Sequence, residues 1–129
     1  MDTMKTHGAF SWSELMTSDP KAALGFYTAL FGWNVQSMDM PQGSYHVVRV
    51  GETPVGGIMG AVPDAPPTPP AWGCYVTVDD VDATVGQVPG LGGRVLVAPM
   101  DIPGVGRFSV IQDPQGAVLN LITYLPAPT

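Results

Sequence analysis

DIPGVGRFSVIQDPQGAVLNL, residues 101–121, is the stretch whose reading settles the fold. A Gly/Pro turn leads into an alternating run from Arg107 to Ile111, the turn Asp113-Pro114-Gln115-Gly116 follows, and Ala117 to Leu121 alternates again. The pattern predicts a β-hairpin, because proline presets φ at the first central position of a tight turn and glycine takes positive φ at little steric cost. Side chains alternate across a strand, so Val118, Asn120 and Ile122 share one face while Leu119, Leu121 and Thr123 share the other. The more apolar second set is expected beneath a helix. Asn120 then points toward whatever the opposite face of the sheet encloses.

Outward from the hairpin, Arg94 to Pro99 reads as a strand, and Val78-Asp79-Asp80-Val81-Asp82-Ala83 opens a helix that carries Val81, Val85 and Val88 on one face until Pro89. Gly73 to Val78 supplies the strand before it, giving the order βαβββ. The first half repeats that order. Ala9 to Met16 reads as a strand, with Trp12, Glu14 and Met16 on one face and Ser13 and Leu15 on the other. Asp19-Pro20 opens a helix, since the carboxylate can cap the first-turn amides and proline suits the first helical position. Ala23, Phe26, Tyr27, Leu30 and Phe31 recur at helical spacing up to Gly32, and this face is expected to pack on a sheet. Strands follow at Trp33 to Asp39, Tyr45 to Val50 and Pro54 to Gly60, with turns at Pro41-Gln42-Gly43 and Gly51-Glu52. The fold class is therefore α+β: one domain over 1–129 made of two βαβββ modules, about 8–60 and 72–124. The stretch AVPDAPPTPPA, 61–71, joins them and is too rich in proline for a helix or central strand.

A chain of 129 residues suits one compact domain. Its net charge is −6, and Lys5, Lys21, Arg49, Arg94 and Arg107 are its only basic residues. Nucleic acid and anionic membrane surfaces are excluded as partners, because both require clustered Lys or Arg. Charged residues make up 12% and hydrophobic ones 45%, a composition that predicts apolar surface covered in a homodimer. The lone Cys74 rules out an intrachain disulfide, and no apolar run approaches the ~20 residues of a membrane span. The start MDTMKTHGAF lacks a charged-then-apolar signal pattern, so a cytoplasmic location is the default expectation.

The two βαβββ orders, the helix opening TSDPKAALGFYTALFGW, the segment VDDVDA and the pair DIPGVGRF with DPQGAVLNL together resemble the vicinal oxygen chelate superfamily. The similarity is to its small glyoxalase-like and bleomycin-resistance-like members and runs from about Phe10 to Tyr124. It implies curved, mixed four-stranded sheets around a cavity, with helices outside. Members include isomerases, extradiol dioxygenases, fosfomycin-modifying transferases and antibiotic-binding proteins, so fold alone does not assign an activity. Enzymatic members hold a divalent metal with His, Glu or Gln from the first and fourth strands of each unit. Carried over position by position, the first ligand place falls on Trp12, the second on the donor-free strand PVGGIMG, the third at or near Gly73 and the fourth on Asn120. The resemblance thus implies a dismantled site, with no metal and no other cofactor. Cys74 lies opposite Gly73 and Tyr75 and is expected as a small buried thiol beneath a helix. His7 and His46 are expected as isolated, surface or hydrogen-bonded residues.

Parity puts Trp12 and Tyr75 on the inward faces of the two first strands, with Met16 and Val118 in the same set and Met59 joining at the expected register. These groups either fill the interior as core or line a pocket for a planar or hydrophobic small molecule. Glu14 shares the Trp12 face. In an apolar enclosure its pKa would rise, suiting it to acid-base work or to gripping an amine; at a cavity mouth it would pair with arginine or water. Arg107 meets an anionic substituent or Glu14, or stands on a solvated hairpin edge. The candidate ligand-binding set is Trp12, Glu14, Met59, Tyr75, Arg107, Val118 and Asn120, with Glu14 the candidate catalytic residue. One function that follows is a metal-independent binding protein for a hydrophobic or aromatic ligand. The other is a lyase, isomerase or dioxygenase-like enzyme that uses Glu14 or a divalent metal. No nucleophile elbow, phosphate loop or dinucleotide fingerprint is present.

Overall fold

The computed structural model describes residues 1–40, 43–60 and 69–126. In chain order the elements are β1 (Phe10–Thr17), α1 (Pro20–Phe31), β2 (Asn34–Met40), β3 (Gly43–Val50), β4 (Thr53–Gly60), β5 (Ala71–Thr77), α2 (Val81–Gln87), β6 (Arg94–Ile102), β7 (Gly106–Gln112) and β8 (Val118–Tyr124), with a 3₁₀ turn at Pro89–Leu91. The class is α+β and the strands are mixed in direction. Residues 61–68 of the expected connector, and Pro41 and Gln42 of the expected turn, lie outside the described residues. The chain divides into two compact units, 12–73 and 1–11 with 74–129.

In the first unit the strand order is β2-β3-β4-β1. β2 and β3, and β3 and β4, pair antiparallel, whereas β1 joins β4 in parallel from Ser13↔Gly56 to Thr17↔Gly60. A Cβ on Gly56 would stand 2.6 Å from the Ser13 carbonyl oxygen, so only glycine allows this approach. Helix α1 starts where Asp19 Oδ1 accepts the Ala22 N–H at 3.0 Å and ends at Gly32 in the left-handed region, φ 70°. Its inner seam, Ala23, Leu24 and Tyr27, packs with Trp33 on Leu15, Val48 and Ile58. Each such buried aliphatic side chain contributes about 1.5–3 kcal/mol. The expectation that the whole apolar stripe packs on the sheet is corrected here: Phe26, Leu30 and Phe31 are 62%, 58% and 57% exposed. Phe26 and Leu30 flank the seam and Phe31 occupies the last turn, so the stripe is wider than the contact. Tyr27, Phe31, Trp33 and Trp72 form a ring cluster with centroids 4.9–6.3 Å apart, and the Trp72 indole N–H donates to the Tyr27 hydroxyl at 3.1 Å.

In the second unit the order is β5-β8-β7-β6, with β5 and β8 parallel and the hairpin β7/β8 antiparallel. The hairpin turn is held by Asp113 Oδ1, which accepts the N–H groups of Gln115 and Ala117 at 2.9 Å, and Gly116 takes φ 100°. Asp80 caps α2 by accepting the Ala83 N–H at 3.2 Å. Val81 and Val85 of this helix pack with Val78 and Leu121, joined by Val76, Val95, Ile111 and Leu119. The Leu119/Leu121 face therefore lies beneath the helix, as the alternation predicts. The start of the chain runs beside β5: the Gly8 N–H donates to the Thr77 carbonyl at 2.7 Å, and the Thr77 N–H donates to the Ala9 carbonyl at 2.8 Å. Cys74 is a second correction, being exposed rather than buried. Seven residues make a helix of only about 10 Å, and α2 covers Val76 and Val78 but stops short of Cys74. Among the described residues, no helix is long and apolar enough to cross a membrane.

Candidate functional site

On β1, alternation sends Leu15 under α1 and Trp12, Glu14 and Met16 to the face that the helix leaves uncovered. Register then chooses their neighbours. Glu14 stands opposite Gly57 and Met16 opposite Met59 on β4, while Gly57 and Met59 stand opposite Val47 and Tyr45 on β3. Because Gly57 has no side chain, the Tyr45 ring lies across it; a Cβ there would fall 1.9 Å from the phenolic oxygen. Tyr45 thereby reaches β1. The Trp12 indole N–H donates to the Tyr45 hydroxyl at 2.9 Å, and that hydroxyl donates to Glu14 Oε2 at 2.7 Å. The relay satisfies the one polar atom of the indole and fixes the carboxylate in a charge-assisted bond. All three side chains are half-buried. An oriented carboxylate beside a ring and two thioethers can hold a donor group of a ligand or exchange a proton with it.

Farther along β3, Arg49 shares the face of Tyr45 and Val47. A register shift between β3 and β4 falls at Val48/Arg49, the kind of bulge that re-aims a side chain. Arg49 Nη2 donates to Gln36 Oε1, and Arg49 Nε is buried with no hydrogen-bond partner among the described residues.

Trp12, Glu14 and Met59 are thus gathered on one sheet face of the first unit. Sequence reasoning missed Tyr45, Gly57 and Arg49. The parity of β3 marks Tyr45 and Arg49 as same-face residues, but the placement of Tyr45 beside Glu14 needs the β3/β4 register. In the second unit, Tyr75 is buried and pairs in parallel register with half-buried Asn120, a ring beside an amide; Val118, on the Asn120 face, is 56% exposed. Arg107 departs from expectation. It shares the parity of Ile111, on the helix side, and its Nε and Nη2 donate to Asp82 of α2 at 2.7 and 3.1 Å while Nη1 donates to Asp101 at 3.0 Å. Its charge is spent within the protein. The hydrogen bond from Arg107, aided by its positive charge, holds the Asp82 carboxyl below the usual carboxylate range, and the two carboxylates hold the guanidinium above its ordinary value.

The divalent metal implied by the resemblance does not fit these residues. The Trp12 indole is a donor and β4 offers no ligand side chain. Among the described residues, no three His, Cys, Asp or Glu side chains converge. His7 Nδ1 accepts the Asp79 N–H at 3.0 Å, and His46 Nδ1 shares a hydrogen bond of 2.7 Å with Ser37. Two open depressions of about 290 and 370 Å³ lie in the second unit, around residues 92–94 with 112–116 and along residues 1–10. Neither is lined by Trp12, Glu14 or Tyr45, and the relay on the first unit is the stronger candidate.

Two successive βαβββ orders are the arrangement of a glyoxalase-type protein. The family model of the Glyoxalase/Bleomycin resistance protein/Dioxygenase superfamily matches residues 9–121, and the chain belongs to this superfamily. It is 43% identical over 122 residues to a putative glyoxylase, CFP32, of Mycobacterium bovis, covering 94% of this chain and 45% of that protein. It is 36% identical over 123 residues to the anthracycline biosynthesis protein DnrV of Streptomyces peucetius, covering 85% and 45% respectively. The chain spans about half the length of these curated relatives. Among solved structures, a hypothetical protein from Bacillus halodurans superposes with a TM-score of 0.73 at 12% identity, covering 96% of this chain and 99% of the other. Methylmalonyl-CoA epimerase from Mycobacterium tuberculosis superposes with 0.66 at 18% identity, covering 94% and 89%. These two likenesses establish the shared fold.

Proposed function

We propose that the protein is a metal-independent binding protein for a hydrophobic or aromatic small molecule. The observation that carries this reading is the Trp12–Tyr45–Glu14 relay on a sheet face that also bears Met16 and Met59. Rings and thioethers offer adaptable apolar contact, and the oriented carboxylate supplies one directional polar contact, the usual balance of a small-molecule site. The relative named for anthracycline biosynthesis supports a flat, polycyclic ligand. The poor donor chemistry at the expected metal positions supports binding without an ion.

Titration with anthraquinone-2-carboxamide, followed by calorimetry and tryptophan fluorescence, tests the reading. Saturable one-to-one binding is expected, weakened at least tenfold in Trp12→Leu. No binding of this probe, or a stoichiometric Zn, Ni, Fe or Mn in protein purified without chelator, would defeat it. The Tyr45-to-Glu14 bond favours one second reading, a lyase or isomerase in which Glu14 is the acid-base group. Glu14→Gln separates the two. A ligand donor gripped by the carboxylate loses affinity in this variant, whereas a purely catalytic carboxylate leaves affinity nearly unchanged and removes turnover.

A further inference from the structure

We propose that Arg49 makes this sheet face selective for ligands that carry a carboxylate at the end remote from Glu14, a refinement that rests on the binding reading above. The chain has eleven acidic residues and a net charge of −6, so an arginine has many possible partners. Arg107 shows the ordinary outcome, holding two carboxylates while 39% exposed. Arg49 is half-buried, yet among the described residues it takes part in no ion pair, donates only to the neutral Gln36 amide oxygen, and keeps a buried Nε without an acceptor. A guanidinium withdrawn from water without a counter-ion is costly, and a planar carboxylate matching its fork removes that cost.

Geometry sets the rest of the ligand. The β3/β4/β1 register sets Glu14 level with Gly57 and Val47, two residues along and two strands across from Arg49, a backbone separation of about 12 Å. Glu14 stands on the β1 side of the face, where a second anion is repelled and a hydroxyl or amine is favoured. The chemical class is an elongated aromatic carboxylate bearing a donor group at its far end. An acid of this shape aligns in one direction only.

Anthraquinone-2-carboxylate and its neutral carboxamide, measured side by side by calorimetry, decide the matter. Wild type is expected to bind the carboxylate at least tenfold more tightly. Arg49→Met should reduce that preference below twofold, and Arg49→Lys should retain part of it, with ligand-free melting temperatures reporting that both variants fold. Should Arg49→Met not fold, salt dependence in the wild type decides. Neutralisation by Arg49 makes carboxylate affinity fall as NaCl rises, whereas the overall negative charge alone would make it rise. Equal affinity for the two probes, a preference that survives Arg49→Met, or carboxylate affinity that rises with salt overturns the selectivity and leaves the binding reading standing. Failure of both probes to bind removes both.

Discussion

Gly57→Ala is the sharpest perturbation of the site. The added methyl would lie 1.9 Å from the Tyr45 oxygen, 2.3 Å from Cζ and 2.8 Å from Cε1, so the ring itself must swing aside. Gly57 does not occupy the positive-φ region, and no backbone strain adds to this cost. Displacing the ring breaks the bonds from Trp12 and to Glu14. A neutral hydrogen bond contributes about 1 kcal/mol and one to a charged group about 1.5–3; in a half-buried site the sum is discounted to about 2 kcal/mol. For a domain of this size that lowers the melting temperature by roughly 6–10 °C. Calorimetric or circular-dichroism melts of the wild type, Gly57→Ala, Tyr45→Ala and the double variant measure it. The three nearest atoms to that methyl all belong to the Tyr45 ring, so Gly57→Ala should cost clearly less in the Tyr45→Ala background, by at least about 1 kcal/mol. A single variant that melts within a degree of wild type, or the same loss in both backgrounds, refutes the geometry.

Two further outcomes are expected. Asp82 is held below its ordinary value of 3.8, chiefly by the hydrogen bond from Arg107. A carboxyl whose folded pKa is lowered stabilises the protein above its unfolded value and loses that contribution as pH falls through the folded one. The stability gap between wild type and Asp82→Asn in urea titrations should therefore be full at pH 7 and close on acidification below about pH 4; a gap unchanged at pH 2 contradicts the pairing. The exposed Cys74 thiol should react with a disulfide reagent in the native protein nearly as fast as in urea, whereas labelling only after unfolding would place it in the core.

Local signals carried much of the fold. Asp19 and Gly32 bracket α1, Asp80 caps α2, and the Asp113–Gly116 turn closes its hairpin, all through contacts a few residues long. Period-two alternation also separated Leu15 from Trp12 and Glu14. What escaped depends on neighbours distant in sequence. Tyr45 enters the site only because β3 pairs with β4 in a register that puts Gly57 beneath its ring. Arg49 stands out only once its partners are known. Arg107 is legible from alternation, since parity with Ile111 puts it on the helix side, but its partners Asp82 and Asp101 are not. Cys74 was assigned the correct face, but helix length, set by Pro89 and Gly90, decides whether anything covers it.

The parallel pairing of β1 with β4 ties the site to the order in which the chain condenses. Hairpins β2/β3 and β3/β4 join strands adjacent in sequence, whereas Ser13 must find Gly56 across a helix and two strands. Long closures of this kind carry the largest loop entropy and form late. Trp12 and Glu14 stand on the strand with the longest closure and Tyr45 on a hairpin of sequence neighbours, so the Trp12–Tyr45–Glu14 relay exists only where both pairings are made.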